Sequence, residues 1–96
     1  MKTRRTAKAG SRYRVRSSVA HRELEGQILI LSADDPDLWT MNESGRFIWR
    51  RLLKGAARTT IIEAFRREFG IQADDAVRDV DAFLEALEKR RIIARA

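Results

Sequence analysis

His21 is the only histidine of the chain and there is no cysteine, so the side chains that most often move protons or attack carbonyl carbon near neutral pH are almost missing. A single imidazole near the start of an alternating segment reads as a surface residue rather than a general base, and no catalytic triad can be assembled around it. Asp34, Asp35 and Asp37 put three carboxylates within four residues, the hard oxygen ligands a calcium loop uses. Pro36 interrupts them and no glutamate follows at the spacing that completes such a loop, so their chemistry is that of a turn, with Asp side chains bonding nearby backbone. No glycine-rich phosphate loop is present. The sequence predicts no enzyme, no catalytic residue, no metal ligand and no cofactor.

A protein without reactive side chains works through surfaces, and one segment supplies two of them. From Asp37 through Leu38-Trp39-Thr40-Met41 the residues alternate as in a strand, and Asn42 then offers a side-chain oxygen to the first free N–H groups of a helix. Beyond Asn42 the apolar residues change to helical spacing, so a strand runs directly into a helix. Upstream, Val19 to Leu24 and Gln27 to Ser32 read as strands joined across Glu25-Gly26, a two-residue connection in which Gly adopts positive φ. The Asp34-Asp35-Pro36-Asp37 turn returns the chain into a third strand near Leu38 to Met41, which completes an antiparallel meander.

Three helices follow. The first starts after Asn42, buries Phe47, Ile48, Trp49 and Leu52, and stops near Lys54-Gly55. The second opens on Thr60-Ile61-Ile62-Glu63, a capping-box spacing, and closes at Phe69-Gly70 with Ile61, Ile62, Phe65 and Phe69 on one face. The third starts at Asp74-Asp75 and runs to about Arg90, with Val77, Val80, Leu84 and Leu87 as its core stripe. Ala76, Phe83 and Ala86 widen that stripe to one side and Ala82 lies farther round, so part of this helix either lines a shallow groove or is simply core and good helix former. The basic pairs Arg50-Arg51 and Arg66-Arg67 and the run Lys89-Arg90-Arg91 fall in the later turns of these helices, where cations complement the negative end of the dipole.

Ninety-six residues make one domain with one core. The absence of cysteine suits a reducing compartment, and the expected location is cytoplasmic. The longest apolar run, Ile28 to Leu31, is far too short to span a membrane, and the basic N-terminus is followed by no apolar signal core, so a soluble protein is expected. The net charge of +6 is unevenly placed: Met1 to Arg22 hold eight basic residues and no acid, leaving 12 basic against 14 acidic groups in the rest. A stretch such as Lys2 to Ser11, with almost no large apolar residue, buries too little to offset its ordering entropy. Residues 1–17 are therefore expected to be a disordered basic tail and 18–96 the folded domain.

Residues from about His21 to Ala94 resemble the PqqD-like family, the RiPP recognition elements that bind the leader segment of a precursor peptide on behalf of modifying enzymes. The resemblance lies in Gly26-Gln27-Ile28-Leu29-Ile30-Leu31 as second strand and in Leu38-Trp39-Thr40-Met41-Asn42 as an aromatic strand ending in an apolar-Asn pair. It continues through Gly45-Arg46-Phe47-Ile48-Trp49, Leu53-Lys54-Gly55, the run Asp79 to Leu87 and the pair Ile92-Ile93. Arg91 stands where the family often has Gly, so a left-handed cap there would carry a side-chain penalty of about 1 to 2 kcal/mol. Leu38 and Trp39 stand where smaller aromatic rings are common, and the arginine-rich tail is outside the family pattern.

The resemblance implies an α+β fold, a three-stranded antiparallel β-meander followed by three helices, winged helix-turn-helix-like, with the third strand at an open edge. It implies an adaptor or peptide chaperone in peptide natural-product or cofactor biosynthesis, whose partners are a precursor (leader) peptide and a modifying enzyme such as a radical SAM protein. It implies no specific nucleic acid and no membrane partner. The peptide-binding positions carried over are Leu38, Trp39, Thr40 and Met41 on the strand and Arg78, Ala82, Phe83 and Ala86 on the helix. For Trp39 and Met41 a place in the core stays equally open. The alternative is a winged-helix DNA-binding protein, but six acids (Asp74, Asp75, Asp79, Asp81, Glu85, Glu88) oppose Arg78, Lys89 and Arg90 on its would-be recognition helix.

Overall fold

The computed structural model describes residues 10–33 and 35–96; the first nine residues of the expected tail and Asp34 of the expected turn lie outside them. In chain order the elements are β1 (Tyr13–Val15), β2 (Val19–Leu24), β3 (Gln27–Ser32), β4 (Asp35–Thr40), α1 (Glu43–Leu53), α2 (Arg58–Phe69), α3 (Ala73–Lys89) and β5 (Ile93–Arg95). Strands β2, β3 and β4 form the expected meander in that spatial order, and β1 pairs antiparallel with β5 in a second, two-stranded sheet.

The β2–β3 hairpin turns on Glu25 and Gly26, both at positive φ (51° and 81°), the two-residue geometry that matches strand twist. This register sets Ile28 and Ile30 on the inner face, both buried, and Leu31 on the exposed outer face. The third strand begins at Asp35, earlier than expected, with a bulge opposite Ile30 to Ser32. Pro36 lies within it because β4 is an edge strand, which leaves room for a residue with no N–H to donate.

Asn42 caps α1 as expected, its Oδ1 accepting the Gly45 N–H at 2.9 Å. The expected capping box of α2 is not its start. The helix opens two residues earlier, at Arg58, whose backbone N–H donates to the Ser11 carbonyl at 2.7 Å, while Glu63 pairs with Arg66 and Arg67. In α3 the core stripe is rotated from the expected one: Ala76 is fully buried and Val77 is 38% exposed. The face is Ala76, Val80, Leu84, Leu87, because the small methyl of Ala76 permits closer packing than a branched side chain. The helix ends at Arg90, and Arg91 adopts φ 62°, the left-handed conformation anticipated at the position where the family often has Gly.

Residues 13–17 are not a disordered tail. Tyr13 is only 5% exposed and belongs to the core, and the β1 segment is tied down by Arg16 N–H to Ile92 O and Ala96 N–H to Arg12 O, each 2.9 Å. Composition misled here because Tyr13 and Val15 alternate with the exposed Arg12 and Arg14 while the strand is held by backbone bonds. The Tyr13 hydroxyl finds no hydrogen-bond partner among the described residues. Burial first, then the Glu88 carboxylate, pushes its pKa above the ordinary 10.0.

A raised folded-state pKa means that this tyrosine's contribution is intact below pH 10 and is lost as pH rises through the folded value. Tyr13→Phe is expected to leave stability within about 1 kcal/mol of the parent or to raise it, since it removes an unmatched hydroxyl. Tyrosinate absorbance of this single tyrosine should titrate above the free amino acid. Ionisation at or below the free value would contradict the buried placement.

Candidate functional site

The outer edge of β4 has no strand partner among the described residues, so its free N–H and C=O groups form an open template. Its side chains alternate. Leu38, 55% exposed, and Thr40, exposed, share the outer face, while Trp39 is half-buried on the inner face opposite Ile30. Met41, just past the strand, is 4% exposed and lies in the core beneath it. Of the open alternatives, Met41 is therefore core, and its carbonyl is taken by the Arg46 guanidinium at 3.0 Å.

Across from β4 stands α3, where Asp79, Phe83, Ala86 and Arg90 follow each other at helical spacing along one side. The Phe83 ring meets Trp39 at 6.3 Å between centroids, and the Arg90 guanidinium sits over the same indole at 4.9 Å. Thus Trp39 and Phe83 form the floor between strand and helix, with half-buried Ala86 beside them and exposed Ala82 on the outer side. Arg78 is exposed, one turn before Ala82, and is paired with Asp75, so it lies off the floor. Of the eight sequence-derived positions, Trp39 and Phe83 make this floor with Ala82 and Ala86 on the same helix; Leu38 and Thr40 lie on the outer face of β4, Arg78 is paired with Asp75, and Met41 is core.

Phe83 is held where it is by a glycine. A Cβ on Gly45 would lie 3.0 Å from Phe83 Cε1 and 3.3 Å from the Met41 Cβ, so α1 and α3 approach closely only because this helical position has no side chain. On the far side of Phe83 the groove opens into a cleft of about 660 Å³. Its apolar walls are Ile48, Phe65, Phe69, Ile71 and Phe83 with Ala82, and its polar members are Asn42, Ser44 and Asp79. Sequence reasoning did not place Gly45, Asp79, Arg90 or this cleft at the site. A glycine inside the first turn of an otherwise strong helix was the one available signal.

Charge around the groove is graded: α3 begins among Asp74, Asp75 and Asp79 and ends at Lys89, Arg90 and Arg91. Among the described residues there is no group of three or more His, Cys, Asp or Glu arranged to hold a metal ion. No helix among the described residues is long and apolar enough to cross a membrane.

The family model for coenzyme PQQ synthesis protein D (PqqD) matches residues 27–93, well over half of the chain. The chain belongs to the PqqD family. The match spans β3 through the start of β5 and so contains both β4 and α3; β1 and the whole of β2 lie outside it. No curated protein matches the chain. Two solved structures share the PqqD-like fold. One is TbiB1 in complex with the TbiA(beta) leader peptide, 20% identical, with a TM-score of 0.76 over 82% of this chain and 92% of that one. The other is lasso peptide synthetase B1 complexed with the leader peptide, 21% identical, with a TM-score of 0.77 over 85% of this chain and 96% of that one.

Proposed function

We propose that this PqqD-family chain binds the leader segment of a ribosomally made precursor peptide and presents it to a modifying enzyme, without altering the peptide itself. The observation that carries the reading is the open edge of β4 lying beside the Trp39–Phe83 floor of α3. An extended peptide pairs with the free backbone groups of β4, and its alternate side chains meet the floor, so affinity comes from main-chain bonds and specificity from the side chains. That two structures of this fold are complexes with leader peptides supports the same reading. The acidic start of α3 disfavours phosphate, which argues against its use as a DNA recognition helix.

The test is calorimetric titration of the full chain with short precursor peptides encoded beside its gene, with mass spectrometry of the mixture. Saturable binding with unchanged peptide mass is expected; covalent modification by this chain alone would defeat the adaptor role. A companion variant separates the basic tail from the groove. Because β1 starts at Tyr13, the deletion must stop at Ala9, and it should reduce retention on duplex DNA while leaving peptide affinity intact.

A further inference from the structure

The cleft beyond Phe83 shares this wall with the groove, and it opens where β4 gives way to α1. A peptide paired with β4 follows the strand only to Thr40; from there the protein chain turns through Asn42 into a helix and the peptide leaves the sheet over the mouth of the cleft. The polar oxygens at that mouth are already engaged with one another: Asn42 Oδ1 accepts from the Ser44 hydroxyl at 3.0 Å and from the Gly45 N–H. The walls behind them are aromatic and aliphatic. Asp79 is the exception, a rim carboxylate with no ion pair among the described residues.

We propose that this cleft is a side-chain subsite of the leader, taking one large apolar residue from the part of the peptide that continues past β4, with Asp79 excluding an acidic neighbour and favouring a basic one. The inference rests on the leader-binding reading above and deepens it, since it assigns a specificity element outside the strand-pairing groove. Burial of the incoming side chain supplies the attraction, and repulsion between like charges at the rim supplies the discrimination.

The probes are short peptides selected on the full chain from a random displayed library, with affinities read by fluorescence anisotropy. In such a peptide, replacing one apolar residue by Ala should weaken binding to the parent protein by about thirtyfold. Ser44→Trp, which fills the mouth of the cleft, should weaken the unmodified peptide by about tenfold or more and make that Ala replacement nearly silent. Asp79→Lys, an exposed change, should convert tolerance beside that residue from Lys to Glu. If the Ala replacement costs the same on the parent and on Ser44→Trp, and Asp79→Lys leaves charge preference unchanged, the cleft is not a subsite, although strand pairing to β4 stands. Peptides whose binding is indifferent to Thr40→Pro in β4 would instead overturn the leader reading, and the subsite with it.

Discussion

Thr40→Pro is expected to weaken leader binding about a hundredfold while Thr40→Ala changes it little. The Thr40 side chain is exposed on the outer face, so its removal disturbs no wall of the groove. Proline deletes an N–H and imposes its own φ on the strand that serves as the template. Circular dichroism should show that the variant is folded. A peptide-side experiment needs no mutation at all: methylating the leader's backbone nitrogens one at a time should abolish binding at every second residue and spare those between, the period of a paired strand. Ala86→Asp on the facing helix should weaken the same peptide, since a carboxylate would be desolvated beside the Trp39–Phe83 floor. Full affinity in folded variants altered on both sides would move the binding site elsewhere.

Asp81→Ala is expected to destabilise the fold by about 2 to 3 kcal/mol, lowering the thermal midpoint by roughly 10 to 20 °C. Arg58 at the start of α2 holds Asp81 of α3 through two bonds of 2.7 Å, and the side chains are only 13% and 22% exposed. The Asp81 carboxylate raises the Arg58 pKa, but a guanidinium keeps its charge even without a partner, so removing Asp81 strands a half-buried cation. Its backbone N–H meanwhile donates to the Ser11 carbonyl, so the pair also braces the segment leading into β1. Arg58→Met combined with Asp81→Leu should recover most of the loss, because two apolar side chains leave no stranded charge. Equal destabilisation by the single and double changes, measured by urea titration, would show that packing rather than charge pairing holds the two helices together.

Local chemistry made much of this molecule legible in advance. Glu25-Gly26 could only be a tight hairpin turn, Asn42 only a cap, and Lys54-Gly55 only a stop, since each is decided by the φ, ψ and hydrogen-bonding options of a few adjacent residues. For Arg91 the resemblance to a family that often has Gly there raised the left-handed cap only as a possibility, and the structure adopts it. The elements whose limits depend on distant partners were not legible. Nothing near Thr60 reveals that α2 begins at Arg58, because its first N–H is satisfied by Ser11 and its side chain by Asp81. The stripe of α3 turned by about one residue because Ala76, not Val77, fits between its neighbours. Composition placed Tyr13 in a tail, whereas pairing with β5 puts it in the core.

The sequence by itself determined the order of strand and helix in the body and the turn and cap residues that separate them. Periodicity and capping are properties of neighbouring residues, so they need no fold to be read. Only the tertiary structure decided which faces meet: Met41 turned inward, Trp39 laid against Phe83, and Phe83 wedged at Gly45 so that groove and cleft share one wall. Those outcomes depend on how closely α1, α3 and β4 approach, and that distance is set by the summed packing of residues far apart in the chain.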